Sequence, residues 1–91
     1  MDKETRLKFG QVQRLIEAHA QAVDIVCHIW HLVSLLVRAY RDFDASETPE
    51  GESLARWALH DARANLESYL HKQKFTPAEI LDVVRLAQLA R

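Results

Sequence analysis

Residues 12–40 read VQRLIEAHAQAVDIVCHIWHLVSLLVRAY, and the spacing of their apolar side chains decides the fold. A seven-residue repeat with Val12 at its first position lines up Val12, His19, Val26, Val33 and Tyr40, with Leu15, Ala22, Ile29 and Leu36 in the fourth column. Ile16, Val23, Trp30 and Val37 occupy the fifth column, and Ala18, Ile25, Leu32 and Ala39 the seventh. Four apolar columns of seven make a stripe broader than a two-helix seam requires. Glu17, Asp24, His31 and Arg38 lie opposite it. No glycine or proline falls between Gly10 and Pro49. The pattern predicts one amphipathic helix from about Lys3 to about Asp42, with Gly10 as the one place where it could break.

Beyond this stretch the chain carries clear punctuation. Asp44 to Glu52 reads DASETPEGE, an acidic connector over about 43–48 that ends in a helix start. Thr48 can cap a helix with Pro49 at its first position, and the acids suit that helix's positive end. The second helix is expected over about 49–72, with Leu54, Ala58, Leu59, Ala62, Leu66, Tyr69 and Leu70 on its apolar face. Thr76-Pro77-Ala78-Glu79 is a capping box flanked by Phe75 and Ile80 as a hydrophobic staple, so a third helix is expected over about 77–90.

These segments specify an all-α chain of three helices, one long and two shorter. Lengths then argue for assembly. About 40 helical residues span roughly 60 Å, whereas a compact chain of this size has a radius of gyration near 12 Å. Two short helices leave part of the broad stripe uncovered, and a second copy is its simplest cover. The expected arrangement is a dimeric helical bundle. Its interface is expected to use Val12, Ile16, His19, Val23, Val26, Ile29, Trp30, Val33, Leu36, Val37 and Tyr40.

Composition narrows the function classes. At 91 residues the chain has room for one domain, and it would bury only about 60–65% of its unfolded surface. The formal net charge of -1 gives no electrostatic case for nucleic acid. Residues 22–40 are the most apolar, but Asp24, His28, His31, Ser34 and Arg38 would be costly at bilayer depth. Cys27 is the only cysteine, so no internal disulfide forms, and a lone thiol suits a reducing, cytoplasmic setting. The opening Met1-Asp2-Lys3-Glu4-Thr5-Arg6 is charged and has no apolar secretion core.

Chemistry-bearing residues are few. Asp24, Cys27, His28 and His31 share one side of the long helix at spacings of three, four and seven. Carboxylate, thiolate and imidazole ligate transition metals such as zinc, so this face is the candidate metal site. One helix cannot enclose a tetrahedral ion, so a second element would have to complete it. His19 lies in the seam, where it serves as a hydrogen-bonded interface residue or a pH-sensitive element. No serine has a nucleophile-elbow context and no glycine-rich phosphate loop exists.

One long helix followed by two shorter ones is similar to the all-helical chorismate mutases, which are intertwined dimers. The likeness implies fold alone. That activity needs basic residues pointing into the bundle, and here Arg14 and Arg38 fall outside the seam. Locally, Gly10-Gln11-Val12, Arg14-Leu15-Ile16-Glu17 and Val23-Asp24-Ile25 resemble a stretch of the copper- and formaldehyde-sensing helical repressors. This chain has Ala22 where that family has a cysteine, and nothing after Asp44 matches its His/Cys pair. The resulting expectation is a non-enzymatic, dimeric interaction module acting as regulator, adaptor or inhibitor, with no resident cofactor. A metal- or ligand-responsive regulator using Asp24, His28 and His31 is the alternative, and a small bundle enzyme the least favoured.

Overall fold

A computed structural model describes residues 2–91 and contains four helices: α1 (Lys3–His19), α2 (Val23–Asp44), α3 (Pro49–Lys72) and α4 (Pro77–Ala90). No strand occurs among the described residues. The predicted long helix is therefore two helices, and the break falls at residues 20–22, not at Gly10. Gly10 sits inside α1 in helical conformation. The likeness to chorismate mutases rested on the unbroken helix, so it fails at this point.

The break has a tertiary cause. Ala20, Gln21 and Ala22 are good helix formers, yet Ala20 and Ala22 take extended backbone conformations. A continuous helix of about 60 Å would overrun a molecule whose longest dimension is 42 Å. Folding back at Ala20–Ala22 lets Val12 and Ile16 of α1 join Ile29, Val33 and Leu36 of α2 in one core. The radius of gyration is 13.5 Å, so the overhang that argued for a dimer is absent.

Cross-links fix the directions of the helices. Thr5 donates to the carbonyl of Leu89 at 3.5 Å, and Lys8 pairs with Asp82 at 3.3 Å, so α1 runs antiparallel to α4. His28 packs edge-on to Tyr69 at 4.5 Å, and the Arg56 guanidinium lies 6.0 Å from the Phe43 ring, so α2 and α3 form an antiparallel hairpin. Gln88 donates to the Tyr40 hydroxyl at 3.1 Å, which sets the end of α4 beside the end of α2. The helices alternate in direction. α2 packs mainly on α3 and α4, α1 packs mainly on α4, and α1 and α3 do not approach each other.

Local chemistry starts and stops the later helices. Thr48 accepts from the Gly51 amide ahead of Pro49. At α4 both arms of the Thr76–Glu79 capping box are made. α3 ends in a Schellman motif, with Phe75 N–H donating to Leu70 and Lys74 N–H to His71, each at 3.1 Å. Lys74 takes the left-handed position at φ 69°, where a non-glycine residue is strained by roughly 1 kcal/mol. Phe75 and Leu70 are both buried, and their packing offsets that strain.

α2 is long and apolar enough to cross a membrane by length and composition alone. In this fold the same helix supplies Ile29, Val33, Leu36, Ala39 and Tyr40 to the core.

Candidate functional site

α1 and α2 diverge from the break at Ala20–Ala22 and pack against each other least of all the touching pairs. Between them, over α4, opens a cleft of about 450 Å³. Phe9 of α1, Trp30, Val33 and Val37 of α2, and Leu86 and Ala90 of α4 supply its apolar lining. Thr5, Ser34, Arg38, Arg41 and Asp42 supply its polar lining. Lining residues run along α2 from Trp30 to Asp42, a rise of roughly 18 Å or three turns. The cleft is thus an elongated groove. Phe9 of α1 and Trp30 of α2 stack directly on each other within its lining, with ring centroids 5.0 Å apart and planes 26° from parallel.

The polar groups of the groove are unevenly distributed and mostly committed. Ser34 donates to the Trp30 carbonyl of its own helix at 2.9 Å, and Thr5 donates to Leu89. Neither hydroxyl has a histidine among the lining residues to activate it. Arg41 donates to the Ala90 carbonyl at 3.1 Å. Arg38 is exposed and makes no ion pair among the described residues. An apolar floor with guanidinium groups toward one end can hold an apolar surface that carries acids at its edge.

The expected interface residues are divided by the fold. Val12, Ile16, Ile29, Val33, Leu36 and Tyr40 are all at most 6% exposed within a single chain. The broken helix places them in the chain's own core, with Val33 also in the lining of the groove. Val23 lies exposed at the start of α2, and Val26 packs against the core. Trp30, Val33 and Val37 line the groove. Phe9, Arg41 and Leu86 lie outside the repeat and Arg38 falls in the column opposite the seam, and a continuous helix does not bring Phe9 to face α2 in this way.

His19 ends α1, with Nε2 3.1 Å from each carboxylate oxygen of Glu79. Its ring stacks on Phe75 at 4.2 Å. The Thr76 backbone amide, and then His19, hold the Glu79 carboxyl below its ordinary 4.5. This contact pins the end of α1 to the start of α4.

Asp24, Cys27, His28 and His31 all lie on the exposed side of α2. The His28 and His31 rings are 6.4 Å apart, and His28 is turned toward Tyr69. Among the described residues no three histidine, cysteine or acidic side chains gather closely enough to hold a metal ion.

A second exposed feature lies on α3. Leu54 is 72% and Trp57 68% exposed, far more than apolar side chains of their size usually are. No protein-family model, curated protein or solved structure matches the chain significantly.

Proposed function

We propose that this chain is a non-enzymatic protein-interaction module, a small regulator, adaptor or inhibitor, whose docking site is the groove between α1 and α2. The observation that supports it is the apolar lining formed by Phe9, Trp30, Val33 and Val37 over Leu86, which runs about two turns along α2. Helix-in-groove recognition uses a surface of this length, with apolar anchors one turn apart. A small-molecule site encloses most of its ligand, about 70–90% of the surface. This groove is open along one side and suits a helix better. The module self-associates, a reading supported by the apolar side chains left exposed on α3. It works in a reducing, cytoplasmic compartment, in keeping with the single exposed thiol of Cys27.

The test is affinity capture from native cells with wild-type protein and Ser34→Arg as parallel baits. Ser34 is exposed on the groove wall, so arginine there enters the groove without replacing a buried side chain. A partner held by the wild type, lost with Ser34→Arg and rebuilt from purified components supports the reading. Partners retained equally by both baits contradict it.

A further inference from the structure

Building on the groove reading above, we infer that the groove's occupant is the outward stripe of α3 from a second copy of this chain. α3 buries Leu66 and Leu70, and its opposite side presents Glu50, Leu54, Trp57 and Asp61, all exposed. Their spacing of four, three and four places them on one helical line. An acid stands at each end with two large apolar side chains between. The stripe covers roughly 16 Å along its axis, against roughly 18 Å for the groove.

Charge fixes the direction. Arg38 and Arg41 lie toward one end of the groove, with Asp42 beside them, leaving that end positive. Glu50, in the first turn of α3, meets that end when the incoming helix runs antiparallel to α2. The same direction sets the positive N-terminus of α3 near the negative C-terminus of α2. One turn further along, Leu54 faces Val37, and Trp57 reaches Val33 and the Phe9–Trp30 pair. An exposed tryptophan thereby gains aromatic and aliphatic cover, the usual setting of an interface anchor.

Groove and stripe are different surfaces of one molecule. The contact is head-to-tail, each copy keeps one face free, and assembly gives chains or rings instead of a closed pair.

Sedimentation velocity across a dilution series up to about 1 mM tests this, because weaker contacts are negligible at working concentrations. Wild-type protein is expected to grow beyond monomer with concentration. Arg38→Glu (groove) and Trp57→Ala (stripe) change exposed residues, and circular dichroism checks their folding. Each is expected to weaken self-association roughly tenfold or more. Mixed together, the two are expected to form a one-to-one complex and stop there, because each supplies the face the other lacks. Wild-type protein that stays monomeric throughout overturns the inference while leaving the groove to its own capture test. Self-association unaffected by both substitutions, or a mixture that stays monomeric, overturns it equally.

Discussion

Phe9 and Trp30 stack at 5.0 Å across the line where α1 and α2 diverge, and theirs is the aromatic contact that joins those two helices. Such pairs contribute about 0.5–1.5 kcal/mol beyond the area they bury. A double-mutant cycle of Phe9→Leu and Trp30→Leu, read by urea denaturation, is expected to give a coupling of about 1 kcal/mol. A coupling near zero would mean that the pair does not hold the groove's shape.

Leu36 is fully buried within one chain. Leu36→Ala is therefore expected to lower unfolding stability by about 2–5 kcal/mol, independent of protein concentration. If Leu36 instead lay in a dimer seam, the loss would vary with concentration. Denaturation at two concentrations a hundredfold apart separates the two.

The break between α1 and α2 is enforced by packing and lacks a cap. Ala22 has the extended backbone of an N-cap residue but no side chain to bond the free amides of α2. Ala22→Ser is expected to add about 1 kcal/mol by supplying that bond. Thermal melting checks it, and a lowered midpoint would place the start of α2 elsewhere.

Glu79 gives stability a dependence on pH. Its folded carboxyl is held below the ordinary 4.5 by the Thr76 amide and by His19. A depressed folded value contributes stability that is full above 4.5 and disappears as pH falls through the lowered value. Asp2, held below 3.8 by Thr5, acts with the same sign. The melting midpoint of wild-type protein is expected to fall below pH 4.5 more steeply than that of Glu79→Gln. Equal slopes would remove Glu79 from the account.

Helical character was legible in the sequence because apolar residues recur at helical spacing through residues 12–40. The start signals at Thr48-Pro49 and Thr76-Pro77 were legible because a capping threonine and a first-position proline act locally. The break at Ala20–Ala22 was not legible. Its residues favour helix, and only the demand that Val12 and Ile29 share a core forces the chain to turn. Gly10 misled for the opposite reason: it weakens a helix in isolation, but α1 runs through it on the strength of Val12 and Ile16. The site followed the break. Trp30, Val33 and Val37 were visible as apolar positions, yet the groove exists only because α1 folds back and brings Phe9 opposite them. That Asp24, Cys27, His28 and His31 share a side of α2 was legible because spacing along one helix fixes that much, while the position of any second element beside them is set by tertiary packing.

The groove itself is tested most directly by site-specific photocrosslinking. A photoreactive residue at Ser34, on the groove wall, is compared in native cells with one at Lys72, exposed at the far end of α3. Adducts from position 34 that map to an apolar helical segment, and are absent from position 72, are the predicted result. No adduct at position 34, or the same adducts from both positions, would contradict the assignment of this groove as the docking site.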